Sequence, residues 1–303
     1  MADPDPVELV DAIGKAGGSY PGHRAAHAKG VVLTGAFTPT DAASGLTRAT
    51  HFAGAPSRVT ARFSNGGANP DSNDAGIGDG RGLAVKFYLP DGTTTDIVSL
   101  SLPVFFVRNP QEFLEFTLAR AESFEKVGEF IGNHPATAQA AQLIAPTLVP
   151  PRSYATIEYN SIHAFRLVND DGDGRWVRWR WLPEAGVEML PEEERESTDR
   201  NFLQTEIFDR LPVRFTLIAR IAPDGAPTDD PTAAWPEDVE TVEMGLLELT
   251  GPETGREQGD DVMVMDPTRV TDGIEPSDDP ILHVRSHAYS VSVERRSGVP
   301  RPG

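Results

Sequence analysis

Leu83-Ala-Val-Lys-Phe-Tyr-Leu89 runs into Pro90-Asp91-Gly92, and the chain returns through Thr94 to Val98. An apolar extended run, a turn tripeptide and a second run make a β-hairpin. The same period of two recurs elsewhere. In Ser57 to Asn65, Val59, Ala61 and Phe63 face one way, and Arg58, Thr60, Arg62 and Ser64 the other. Val177, Trp179 and Trp181 share a face, as do Val213, Phe215, Leu217, Ala219 and Ile221. Val31 to Phe37, Asn160 to Val168 and Val239 to Leu249 read as further strands. Helical patterns come in blocks: Val7 to Ala16, from Asn109-Pro110 through Ile131, Ala136 to Leu148, Glu192 to Arg210, and Ile281 to Arg296. Strands and helices do not alternate singly, so the sheet is expected to be antiparallel. At least six strands joined by hairpins or long excursions predict an α+β chain: a closed antiparallel β-barrel with helical insertions. The 303 residues are read as a single domain, 1–303, with about 1–19 as an N-terminal extension.

Charge and composition remove several function classes. Lys and Arg number 27 against 46 Asp and Glu, a net charge of −19. That disfavours nucleic acid and anionic membrane as partners. The chain has no cysteine, which excludes disulfides, thiolate catalysis, iron–sulfur clusters and zinc–thiolate sites. Met1-Ala-Asp-Pro-Asp-Pro-Val7 lacks the basic-then-apolar order of a secretory signal, and no apolar run is long enough to span a bilayer. A soluble, cytoplasmic protein is expected.

Individual motifs are ambiguous taken singly. His23 and His27 have the spacing of helical metal ligands. In the extended chain that the surrounding glycines and prolines favour, they stand about 13 Å apart, too far to share an ion. Gly76-Ile-Gly78-Asp-Gly80 is a poor dinucleotide fingerprint, because a strand and not a helix follows. Asp170-Asp-Gly-Asp-Gly174 lacks the closing glutamate of a calcium loop and reads as a turn. Gly251 to Asp261 reads as a polar, mobile loop. The polar face carrying Arg62 and Ser64 is either solvated or lines a polar cavity. In the last helix Arg285 and Tyr289 share a face one turn apart. That spacing places a permanent cation beside a phenol, which favours the phenolate. A buried phenolate is one of the axial ligands that haem iron takes. The same pattern also fits an amphipathic helix with a core tyrosine and solvated arginines.

Taken in order, these segments resemble the monofunctional haem catalases. Arg24-Ala-Ala-His27-Ala-Lys-Gly30 looks like that family's distal histidine motif. Arg62-Phe63-Ser64 and Arg81-Gly-Leu-Ala-Val-Lys-Phe-Tyr88 look like its barrel strands. Asp96-Ile-Val98 and Pro103-Val-Phe-Phe-Val-Arg108-Asn-Pro110 continue the match, and Arg285-x-x-x-Tyr289 looks like the proximal segment. The likeness runs from about residue 20 to about 298, and the length suits the short, catalase-related peroxidases. It implies a barrel of about eight strands, a C-terminal proximal haem helix and haem b as cofactor. Tyr289 would be the axial ligand to the haem iron, and Arg285 would hold it as phenolate. His27 would be the distal acid/base, with Ser64 as its partner. Arg24, Arg62 and Arg296 would neutralise the haem propionates. Phe113, by pattern a core residue of its helix, would stack on the haem.

One departure stands out. Leu100 falls where the family carries a distal asparagine. The resemblance implies a peroxidase that reduces hydrogen peroxide or organic hydroperoxides with small organic donors, with weak catalase activity. Rearrangement of fatty-acid hydroperoxides, as in allene oxide synthases, and non-catalytic haem binding are the alternatives. Peroxide and a small organic reductant are the expected partners, and the chain is expected as a monomer or homo-oligomer, a dimer among the options.

Overall fold

The computed structural model describes residues 4–253 and 262–298. Its strands are β1 (Gly30–Pro39), β2 (Ser57–Asn65), β3 (Arg81–Tyr88), β4 (Thr94–Leu100), β5 (Tyr159–Asn160), β6 (Phe165–Val168), β7 (Gly174–Pro183), β8 (Val213–Ile221), β9 (Thr241–Pro252) and β10 (Ile274–Pro276). Every pairing is antiparallel. The run β1-β2-β3-β4-β5-β7-β8-β9 closes back on β1, giving an eight-stranded barrel. The remaining two, β6 and β10, extend the sheet beside the first residues of β7.

At eight strands a barrel interior is just wide enough for side chains to fill. Here the inward rows do so: Leu33, Val59, Ala61, Phe63, Leu83, Val85, Phe87, Trp181, Phe215, Leu217 and Leu247 are all fully buried. Phe37 is the hub of their packing, edge-on to Phe87 at 5.3 Å and to Trp181 at 6.2 Å. Burying each such ring contributes roughly 1.5–3 kcal/mol. Any ligand is therefore held outside the barrel. The outward faces of β2, β3 and β4 are in register there: Ser64 lies beside Gly82, which lies beside Leu100. The next row is Arg62, Ala84 and Val98.

Among the described residues there are six helices, α1 (Pro6–Gly17), α2 (Pro110–Glu122), α3 (Phe124–Asn133), α4 (Pro135–Ile144), α5 (Phe202–Asp209) and α6 (Pro280–Ser297), of which α1 and α6 face that surface across a cavity. Asn109 caps α2 by accepting from the Glu112 amide, and Pro110 occupies the first turn, where its missing N–H costs nothing. Asp279 caps α6 in the same way, with Pro280 behind it. No helix among the described residues is long and apolar enough to cross a membrane.

Two expectations fail on local hydrogen bonding. Glu192 to Arg210 is not one helix. A single 3-10 turn, Glu192–Glu194, is followed by bends, and only Phe202–Asp209 is helical. The hydroxyls of Ser197 and Thr198 both donate to the Glu194 carbonyl, and Asp199 accepts from the Asn201 amide. Such local bonds compete with the helical ladder. Asn160 to Val168 is likewise not one strand. Ser161 spends its hydroxyl on the His163 carbonyl and accepts from the Trp179 amide, which breaks the run between β5 and β6. The expected loop from Gly251 to Asp261 begins in the last residues of β9, and 254–261 lie outside the described residues.

Candidate active site

A cavity with about 820 Å³ free of protein atoms lies against the outer face of the barrel. Arg62, Ser64, Gly82, Ala84, Val98 and Leu100 form one wall, and Arg285, Ala288, Tyr289, Ser292, Val293 and Arg296 of α6 form another. Val10 and Ile13 of α1 and the segment Val264-Met265 close the sides. Of the residues expected to form a site, His27, Ser64, Arg24, Arg62, Arg285, Tyr289 and Arg296 all line it. Phe113 does not. It packs in an aromatic cluster, parallel to Phe105 at 6.2 Å and tilted against Phe106 at 5.9 Å.

On the barrel side, His27 Nδ1 lies 2.9 Å from Ser64 Oγ. Its backbone is left-handed, φ 55°, the single non-glycine residue with positive φ among the described residues. Such a conformation costs of the order of 1–3 kcal/mol and persists only where its surroundings enforce it. Two amides enforce it here: His27 donates to the Gly66 carbonyl and Ala28 to the Gly67 carbonyl, each at 3.1 Å. The ring lies along Gly82. A Cβ on that residue would stand 3.1 Å from the ring's Cε1 and Nδ1 and 2.8 Å from Ser64 Oγ, so only glycine leaves the imidazole its place. Burial, and then the charges of Arg62, Arg285, Arg24 and Arg81, push His27 down to about 3. The imidazole is thus neutral near pH 7 and able to accept a proton.

On the α6 side a chain of four side chains runs inward. Tyr289 Oη accepts from Arg285 Nε at 2.9 Å and from Nη2 at 2.6 Å. Arg285 Nη1 lies 2.9 Å from His163 Nε2. A guanidinium only donates, so Nε2 accepts and the His163 proton is on Nδ1. Nδ1 donates in turn to Asp279 Oδ2 at 2.6 Å. Burial pushes His163 down to about 4, despite the hydrogen bond and charge of Asp279, and the ring is held neutral in that tautomer. The result is a phenol oxygen fixed by two donated hydrogen bonds from one guanidinium, on a residue that lines the cavity.

His163 and Asp279 were missed from the sequence. His163 sits in the middle of an apparent strand, and Asp279 reads as part of an acidic turn. The break after Ser161 turns the imidazole away from the sheet. The helix start at Pro280 brings Asp279 beneath it. A buried histidine and aspartate far apart in sequence leave no periodic signal.

The cation distribution describes what the cavity accepts. Arg24 Nη2 and Arg296 Nη2 donate to the same acceptor, the Met263 carbonyl, at 2.8 and 3.1 Å. Arg62 donates to the Ala28 carbonyl at 3.3 Å. No acidic side chain lines the cavity among the described residues. Like charges converging in a partly buried place favour an anionic ligand. Met263 belongs to a segment that is itself pinned. Buried Asp96 accepts from Lys86 at 2.7 Å, from Arg269 at 2.6 Å and from the Asp266 amide at 2.8 Å. An anionic macrocycle with apolar faces fits this donor set: arginines at one edge, a phenol oxygen on one side and a neutral imidazole on the barrel side.

Comparison with known proteins identifies the family. The family model described as Catalase matches residues 19–300. The chain is 41% identical over 302 residues to the catalase-related peroxidase of Mycolicibacterium paratuberculosis, covering 98% of this chain and 96% of that protein. It is 34% identical to the catalase-related peroxidase of Synechococcus elongatus, covering 96% and 88%. Catalase-2 of Bacillus subtilis is 28% identical, covering 91% of this chain and 44% of the longer protein. A fungal catalase crystal structure superposes with a TM-score of 0.81 at 22% identity, over 91% of this chain and 60% of that one, and so shares the fold. The chain belongs to the catalase family.

Proposed function

We propose that the protein is a haem-dependent peroxidase that reduces hydrogen peroxide and organic hydroperoxides with small organic electron donors. The observation that carries this reading is the pair of fixed side chains across one cavity, Tyr289 held by Arg285 and His27 held by Ser64. Tyr289 would be the axial ligand of haem b, with Arg24, Arg62 and Arg296 on its propionates. When bound, the haem supplies the redox chemistry of peroxide reduction.

The chain's own residues do the rest. His27, neutral near pH 7, takes the proton of a peroxide bound beside it and returns it to the departing oxygen. A positioned base of this kind is typically worth about 10²–10⁴-fold. Ser64 fixes the ring by the bond at Nδ1, which leaves Nε2 to handle the proton. Arg285 would favour the phenolate form of Tyr289 through its charge and its two donated hydrogen bonds. A carrier has no use for a histidine held in a left-handed conformation, so non-catalytic haem binding is the weaker reading.

Leu100 sets the balance of activities. It stands beside Gly82 in the row that carries Ser64, and it lines the cavity. A leucine offers no hydrogen bond with which to orient a second peroxide as reductant, and it tolerates the alkyl group of an organic hydroperoxide. Weak dismutation and clear turnover with organic donors follow. The test is Tyr289→Phe. The wild-type protein should show a tyrosinate-ligated high-spin haem spectrum and peroxide-dependent oxidation of an organic donor. The variant should lose the tyrosinate charge-transfer band and most haem retention. An unchanged spectrum would overturn the assignment.

A further inference from the structure

A second cavity, with about 670 Å³ free of protein atoms, adjoins the first. The two share Val10, Arg24, Ala25 and Ser292. The Ala25 amide donates to Ser292 Oγ at 3.2 Å, which ties α6 to the segment that carries His27. These four residues form a wall common to both cavities. On its far side the second cavity is lined by Ser19, Tyr20, Pro21, His23 and Arg295, and of these only Tyr20 is not exposed.

The chemistry of this lining differs from that of the first cavity. Tyr20 lies against Gly18, whose φ is 89°. A Cβ there would stand 2.8 Å from the tyrosine ring, so the glycine leaves the aromatic its place beside the open space. Arg24 is shared with the first cavity, and exposed Arg295 and His23 also line the second. No acidic side chain lines the cavity among the described residues, although Asp11 pairs with Arg295 at 2.7 Å beside it. With Arg24 assigned to the first cavity, the aromatic surface of Tyr20 and the rim guanidinium of Arg295 match a flat aromatic molecule that carries an anionic group.

We propose that this second cavity binds the organic electron donor, a phenol bearing a carboxylate, separately from the peroxide. The proposal rests on the peroxidase reading, under which Arg24, which lines both cavities, would hold a propionate. Each hydroperoxide takes up two electrons and two protons and leaves as one alcohol and one water when its O–O bond breaks. Two phenols supply them, each losing one electron and one proton to become a phenoxyl radical. The donor need not enter the cavity that His27 and Leu100 line, so the two substrates do not compete for space.

The test is calorimetric titration of the haem-loaded full-length protein with 4-hydroxybenzoate, without peroxide, for the wild type, Ser19→Trp and Arg295→Gln. Both substituted residues are exposed and neither lines the first cavity, so haem content and the spectrum should be unchanged. The tryptophan should fill the cavity and weaken binding at least about tenfold. Loss of the rim charge should weaken it about fivefold. In turnover the donor KM should rise by the same factors, with kcat and the peroxide KM unchanged. No binding to the wild type, or equal binding by all three proteins, would overturn the proposal. If the wild type oxidises the donor and both variants keep its KM, the donor site lies elsewhere and the peroxidase reading stands. If the wild type oxidises no donor with peroxide, that reading falls, and the donor role falls with it.

Discussion

Replacing His163 with leucine should reveal how much the chain behind Tyr289 is worth. His163 and Asp279 are both about 1% exposed. The ring accepts from Arg285 at 2.9 Å and donates to Asp279 at 2.6 Å. Leucine can do neither. A buried polar group left unpaired typically costs about 1–3 kcal/mol, and more where the group left behind is charged. Asp279 keeps its bonds to the amides of Ile281 and Leu282, which limits the damage on its side. The net expectation is a loss of about 3 kcal/mol, against a total stability of roughly 5–15 kcal/mol. Urea unfolding of the haem-loaded protein, followed by tryptophan fluorescence, measures it. Arg285 would also be released to move, so the tyrosinate band should weaken in the folded variant, which a purely structural role for His163 would not cause. A loss below about 1 kcal/mol, or a full loss of stability with an unaltered band, would refute the reasoning.

Three further outcomes are expected. His27→Ala should retain haem but react with peroxide about 10²–10⁴-fold more slowly in stopped-flow mixing; a wild-type rate would assign the base elsewhere. Leu100→Asn, correctly folded and haem-loaded, should gain oxygen release relative to dye oxidation, by about threefold to tenfold for one recovered hydrogen bond; no gain would show that Leu100 does not set the balance. Stability should fall with acid: His27 and His51 are lowered to about 3 and His163 to about 4, all first by burial. The unfolded chain takes up these protons first, near pH 6.5, so each histidine removes about 1.4 kcal/mol per pH unit below that value until its folded pKa is reached. His51 lies between Phe52 and Phe87 with neither ring nitrogen hydrogen-bonded among the described residues, so His51→Phe should flatten the urea-midpoint profile between pH 6.5 and 4. An identical profile would contradict this.

The barrel was legible because its signal is local. Val59, Ala61 and Phe63 point inward and Arg62 and Ser64 outward, as a period of two requires. The Arg285-to-Tyr289 spacing was legible for the same reason: one turn of helix fixes it. What the sequence did not show depends on departures from period. His163 is turned out of the strand pattern by the hydroxyl of Ser161, and the Glu192 helix is undone by the hydroxyls of Ser197 and Thr198. The position of Phe113 depends on which neighbours it meets, Phe105 and Phe106, and helical period alone does not decide that. The importance of Gly82 is equally invisible in one dimension, because the ring that needs its missing side chain comes from 55 positions earlier in the chain.

Asp279 uses its two carboxylate oxygens for different tasks. Oδ1 closes the first turn of α6, and Oδ2 orients His163. Fraying of that turn and loosening of the phenol's support are consequently one event. The amides of Ile281 and Leu282 then serve as a distant reporter. Whatever tightens the grip on Tyr289 Oη should slow their exchange with deuterium, and whatever melts that turn should soften the phenol's hold, although neither amide touches the cavity.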